Sequence, residues 1–299
     1  MATTETTGST VPRRQLGRYL RDLRNRQRIT VKAAAEQMEW SETKIWRVET
    51  GQTSLRSHDV ALMCSLYAAP PGITEALMGL AKETKARGWW HAYGDVIPEN
   101  FDLYLGLEEA ASSLSWYEAE LVPGLLQTDG YARAVISADK PDTDPAEIDR
   151  RVQLRIERQA LIRRRAAPLA LRVVLNESIV RRPVGGREVM AEQLEALAGA
   201  ADLPNVKLRV VPFTAGLHYG VMSGPFVLLR FPANGDGRDS EPPTVYVDGF
   251  TEDLYLDKPA EVEHYSDAFE TIWAAAASEA SSARLIRQAA DDFRSTGRR

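Results

Sequence analysis

The sequence predicts an α+β multidomain protein: an all-α head of five short helices, a helical segment after it, and a mixed α/β C-terminal domain. Length is the first reason, because 299 residues exceed one small helical module and suffice to bury more than one core. Periodicity is the second. Apolar positions recur at helical spacing through residues 13–87, whereas β-branched and aromatic runs bounded by Gly, Pro and Asn begin only after residue 165. The third is charge: residues 1–60 hold 11 Lys+Arg against 7 Asp+Glu and the remainder holds 26 against 35, so a basic head precedes an acidic body.

The polar stretch 1–12 reads as a disordered tail. Leu16, Leu20 and Leu23 then mark a first amphipathic helix over residues 13–28. Thr30 caps a second, which turns Val31, Ala34, Ala35 and Met38 inward. A polar break at Glu39 and Trp40 leads to Ser41, a good N-cap, and to a third helix with Ile45 and Val48 inward, ending at Gly51. Ser57 caps a fourth helix to about residue 68, and after the Ala-Pro-Pro-Gly break a fifth runs over about 74–87. The head therefore spans residues 13–87.

Residues 88–140 read as helical stretches broken at Pro98 and at Pro123-Gly124, and Pro145 opens an Arg-rich helix to about residue 165. LRVVL, VKLRVVPF, PFVLLRF and TVYVDGF then supply strands, with a helix over 189–201 between the first two. The loop PANGDGRDSEPP is the internal stretch most prone to disorder. Helices from Pro259 onward close the chain, giving a body over 88–276 and a C-terminal helix with a basic tail over 277–299.

Composition narrows the function classes. With 44% hydrophobic and 26% charged residues the chain is globular, its start lacks a secretory apolar run, and no later run is long enough to span a bilayer. The expected compartment is the cytoplasm, with no membrane partner. One cysteine, Cys64, forms no intrachain disulfide and reads as core. No nucleophile with its base can be assembled: GVMSG around Ser223 lacks nucleophile-elbow spacing, and GxGxxG and GxxxxGKS loops are missing. His58, His91, His218 and His264 never pair at metal-ligand spacing. The expectation is a non-enzyme without metal or cofactor.

Val31, Ala34, Ala35, Trp40, Ile45 and Val48 have the spacing of apolar and small positions in the lambda-repressor-like or Xre-type helix-turn-helix, which the head resembles over about residues 13–80. Two departures stand out: Glu39 occupies the familiar turn glycine, so it must accept a left-handed conformation, and Val31 replaces a glutamine. The resemblance places DNA contacts on Ser41, Glu42, Thr43, Lys44, Trp46 and Arg47 of the third helix. Arg47 suits a guanine edge, Thr43 a thymine methyl, Glu42 a cytosine amino group, and Ser41 and Lys44 phosphate. Trp46 reads either as an aromatic flank packed on the head or as a sugar or base contact. The resemblance also implies an ion pair between Arg24 and Glu49 that braces the helices, and Ala35 is the small residue at their crossing.

The body carries GWWHAYGDVIP, YEAELVPGLLQTDGYARA, RRPVGG, VVPFTAGLH and DLYLDKP. In these it resembles an uncharacterised domain that follows such heads in actinomycete regulators of the WhiJ-like group. The resemblance implies a regulator, commonly of development or secondary metabolism, with a small partner protein encoded nearby. The expected assembly is a homodimer on a two-fold double-stranded operator, with the body setting subunit geometry and serving sensing or assembly. Trp89, Trp90 and His91, with Tyr117, Glu118, Gln127, Tyr131 and His218, are candidates for a small-molecule or peptide site, against the plainer reading of core packing. Seven arginines between 150 and 165 lie among carboxylates and read as a solvated or interdomain face. The alternative to a regulator is an antitoxin-like module that sequesters a small protein and autoregulates its operon.

Overall fold

The computed structural model describes residues 10–84, 88–98, 101–233, 239–250 and 253–295. The chain divides into two compact units, residues 1–110 and 111–299, so the head expected over 13–87 forms part of a longer first unit.

The first unit contains α1 (Thr10–Arg26), α2 (Val31–Met38), α3 (Glu42–Glu49), α4 (Ser57–Leu66), α5 (Pro71–Glu83), a 3₁₀ turn (Trp89–Tyr93) and α6 (Phe101–Ala110). Leu16, Leu20, Ala34, Ala35, Ile45, Val48, Met63 and Tyr67 meet in one core, with Cys64 buried among them. Caps fix the short helices: the Thr30 hydroxyl accepts from the Ala33 amide and the Ser41 hydroxyl from the Lys44 amide. Glu39 takes φ 54° and ψ 38°, the left-handed turn that its position demands.

Three local expectations need correction. Residues 10–12, assigned to a disordered tail, form the first turn of α1, where Thr10 is buried; residues 1–9 lie outside the described residues. Ser57 is not a cap, since Arg56 holds that position and the Ser57 hydroxyl donates to the Met78 carbonyl. Pro71, assigned to a break before a helix from about residue 74, instead opens α5 as a first-turn proline; residues 85–87, where that helix was expected to end, lie outside the described residues.

The second unit is built on six strands: β1 (Ser113–Glu118), β2 (Ala170–Asn176), β3 (Val206–Val211), β4 (Phe226–Arg230), β5 (Thr244–Val247) and β6 (Leu254–Leu256). Their order is β3-β2-β1-β4-β5-β6; β1, β2 and β3 are parallel and the other pairs antiparallel. The central strand β1 corrects the helical reading of residues 88–140: Leu114 and Trp116 alternate with Ser113 and Ser115, the period of a strand. Between strands run α7 (Asp129–Asp139), α8 (Pro145–Arg158), α9 (Ala160–Arg163), α10 (Glu177–Arg181), α11 (Arg187–Ala200) and α12 (Tyr219–Ser223). The Arg-rich helix is thus two helices, α8 and α9, that stop at Arg163. α13 (Pro259–Ala275) and α14 (Glu279–Ser295) end the described chain. Residues 234–238 of the loop expected to be disordered, and residues 296–299 of the basic tail, lie outside the described residues.

Tyr117, Val174, Phe226 and Val245 pack on Phe269 and Ile272 of α13. α14 packs on α11 and β3 of the same unit. It also covers an open strand edge. The Val210 amide donates to the Ser282 hydroxyl at 2.9 Å and its carbonyl accepts from the Ala277 amide at 2.9 Å, so β3 presents no free bonding groups there. Because β1–β3 end where β4 begins and where β5 turns into β6, the segments after all of them meet at one end of the sheet.

In the first unit, α1 crosses α3 at Gly17, where a Cβ would lie 2.4 Å from the Val48 carbonyl oxygen and 2.8 Å from that of Glu49. Backbone cannot give way as a flexible side chain can. Gly17→Ala is therefore expected to cost about 1–3 kcal/mol, as overpacking of a tight crossing does. Hydrogen exchange in α1 and α3 should quicken while β1–β3 keep their protection; unchanged exchange in α3 would show that the crossing tolerates the methyl.

Candidate nucleic-acid interface

α3 has two unlike faces because its apolar residues sit three apart. Ile45, Val48 and Glu49 are buried, whereas Ser41, Glu42, Thr43, Trp46 and Arg47 are exposed and Lys44 is half-buried. The exposed side chains offer hydroxyl, carboxylate and guanidinium groups together, a set able to meet both donors and acceptors on base edges. Ser41 is engaged as the cap. Lys44 lies over the Trp40 ring with Nζ 3.5 Å from its centroid, which positions the ammonium beside the helix start. Trp46 stands 52% exposed, an aromatic surface on the outward face of α3.

The inward face is clamped. Arg24 donates from Nε to Glu49 Oε1 at 2.6 Å and from Nη2 to Oε2 at 2.7 Å, and its Nη1 reaches the Ile29 carbonyl at 2.8 Å. Both side chains are buried, and the hydrogen bonds to Glu49 hold the guanidinium pKa above its ordinary value against the opposing effect of burial. Nearby Tyr67 is fully buried; its phenol pKa is raised by burial and further by the Glu49 charge. Ala35, also buried, takes the Trp40 amide on its carbonyl at 2.9 Å, closing the turn that leads to α3.

The other candidates are divided between the two units. Trp89, Trp90 and His91 lie in the first unit on the 3₁₀ turn: Trp90 is buried against Gly88, Trp89 meets Trp90 and Tyr93 edge-on, and His91 is exposed. Tyr117, Glu118, Gln127, Tyr131 and His218 lie in the second unit. Gln127 and Tyr131 hold the loop after β1 by its backbone: the Tyr131 hydroxyl accepts from the Val122 amide, while the Gln127 amide donates to the Val122 carbonyl. Gln193, which the sequence reading missed, completes this staple. It takes the Thr128 amide and donates to the Leu126 carbonyl at 2.7 Å each. Of these second-unit candidates Tyr117 and His218 pack ring to ring, edge-on with centroids 6.1 Å apart. His218 accepts the Gly220 amide on Nδ1 and faces Asn176 Nδ2 from Nε2 at 3.4 Å, and burial lowers its pKa.

The arginines after 149 divide by partner. Arg151 pairs with Glu147 and Arg155 donates to Gln127, while Arg158 is buried with its guanidinium against Gly124. Gly17 and Gln193 are functional supports that no motif named. A glycine inside an amphipathic helix was the available signal for the first; the second, a polar residue on the apolar side of α11, carried none.

Residues 15–77 match a helix-turn-helix domain, and residues 101–288 match a domain of unknown function, DUF5753. The chain belongs to the DUF5753 family. Its DUF5753 match begins in α6 and runs into α14, while the helix-turn-helix match covers α1–α5, where the clamp and the exposed α3 lie; that domain marks a DNA-binding regulator. No curated protein and no solved structure matches the chain. Among the described residues no helix is long and apolar enough to cross a membrane, and no group of three or more His, Cys, Asp or Glu is placed to hold a metal ion.

Within the DUF5753 region, Glu118 accepts from the Trp116 indole at 3.0 Å. Burial raises its pKa from near 4.5 to about 7, the Trp116 bond opposing and the Asp248 charge assisting. A carboxyl group that holds its proton more tightly folded than unfolded stabilises the fold at low pH, and that stabilisation falls as pH rises from about 4.5 to about 7. Glu118→Gln, which keeps an acceptor for the indole, should therefore flatten this part of the pH–stability curve and raise the thermal midpoint at pH 8 by several degrees. Parallel curves for the two proteins across that window would contradict the assignment.

Proposed function

We propose that this chain is a sequence-specific transcriptional regulator of the lambda-repressor-like, Xre type, akin to the WhiJ-like actinomycete regulators. It acts in the cytoplasm as a homodimer on a two-fold operator, placing α3 in the major groove. The observation that carries the reading is the division of α3: a buried face locked by the Arg24–Glu49 pair and an exposed face bearing Ser41, Glu42, Thr43, Trp46 and Arg47. A reading helix must be held rigidly from behind and left open in front.

In this reading Arg47 takes a guanine edge, Glu42 a cytosine amino group and Thr43 a thymine methyl, while Lys44 and the helix start meet phosphate. Trp46 flanks the sugar-phosphate wall. The acidic body has no part in the DNA contact; it supports assembly and receives a small-molecule, peptide or small-protein signal. Catalysis, a metal and a cofactor have no role. The antitoxin-like alternative draws no support from either family match.

Arg47→Ala tests the base contact. In competition binding the variant should lose about 1–3 kcal/mol of preference at one base pair of each half-site and change little on scrambled duplex. An equal loss on both duplexes would make Arg47 a phosphate contact and remove the assignment.

A further inference from the structure

Residues 212–229 form a run of eighteen without Asp, Glu, Lys or Arg in a chain that is 26% charged. The run links β3 to β4 across the end of the sheet where the parallel strands finish. Before β4, where Phe226–Leu229 turn inward, its apolar side chains are not inside. Leu217 is 81% exposed, Met222 74%, Phe213 60% and Val221 59%, with Tyr219 exposed beside them. Together these side chains put five large apolar groups at the surface within one segment of ten residues, where a monomer ordinarily shows such groups scattered singly.

The backbone beneath them is fixed. The Phe213 amide donates to Glu177 Oε2 at 2.8 Å, and His218 caps the turn by accepting from the Gly220 amide. Gly220 lies so close to Tyr117 that a Cβ there would stand 2.4 Å from the ring. Glu177 is itself held by Arg181, and Arg181 also reaches Asp292 of α14. Apolar groups on a braced scaffold give up little conformational freedom when covered, which is what an interface requires.

We propose that the segment 213–222 is a self-association surface that meets the same segment of a second copy of this chain across a two-fold axis. Two features select that occupant. A segment without Asp, Glu, Lys or Arg approaches its own copy without like-charge repulsion, and burial lowers the pKa of His218 within it, which favours the neutral ring. Its cluster of exposed large side chains supplies the apolar centre that an interface of standard size needs. The inference rests on the homodimer of the functional reading and names the surface that reading leaves open.

The test compares the full chain with Leu217→Asp/Met222→Asp, two exposed positions outside the cores and outside α3. Sedimentation equilibrium should show a dimer for the unaltered chain and self-association weakened by roughly 100-fold or more in the variant, at unchanged thermal midpoint. Affinity for a duplex carrying a single half-site should be unchanged. A variant as dimeric as the unaltered chain, an unaltered chain that stays monomeric, or a monomer that binds neutral phosphatidylcholine vesicles through these residues would overturn the proposal. Should the variant unfold, hydrogen exchange of the unaltered chain decides. Residues 213–222 should gain protection as concentration rises through the dimerisation range, and exchange independent of concentration would overturn it. DNA binding with an indifferent segment would leave the operator reading standing alone, whereas a dimer through this segment without DNA binding would do the reverse.

Discussion

The Arg24–Glu49 pair sets the geometry of everything in front of it. Two parallel hydrogen bonds between buried, opposite charges fix both the distance and the rotation of α3 against α1, because a guanidinium and a carboxylate meet well in only one plane. Removing either partner would strand a charge in the core beside Tyr67, at a cost of about 3–5 kcal/mol; replacing both with apolar groups could cost far less. The pair therefore acts as a positioning device more than as a source of stability. Gly17 lets the helices come close enough for it to form, and Ala35 lets α2 close the turn into α3.

The body solves a different problem. Its sheet brings several loops to one end, and loops carry backbone groups that a buried position cannot leave unpaired. Gln127, Gln193 and Tyr131 supply those partners for the loop after β1, so side chains that look like ligand handles in sequence serve as internal staples. His218 and Glu177 do the same for the segment after β3. What the segment after β3 leaves exposed is apolar, which distinguishes it from the charged outward face of α3.

Much of the head was legible because its signals are local. Thr30 and Ser41 announce helix starts, and the spacing of Ala34, Ala35, Ile45 and Val48 sets which face turns inward. β1 was missed for a physical reason: only Leu114, Trp116 and Tyr117 show strand character in a stretch flanked by helices, and its pairing partners stand 57 residues away in β2 and 109 to 117 residues away in β4. The roles of Gln127 and Tyr131 were hidden likewise, since a polar group beside apolar neighbours reads the same in a pocket as in a stapled loop. Only the partner decides, and the partner is remote in sequence.

The central claim is that the outward face of α3 reads base sequence. Selecting bound duplexes from a randomised pool with the full chain tests it most directly. The account expects successive rounds to converge on one sequence whose halves are related by two-fold symmetry. A pool that stays random while binding in low salt and letting go in high salt would show attraction to phosphate alone and would contradict it.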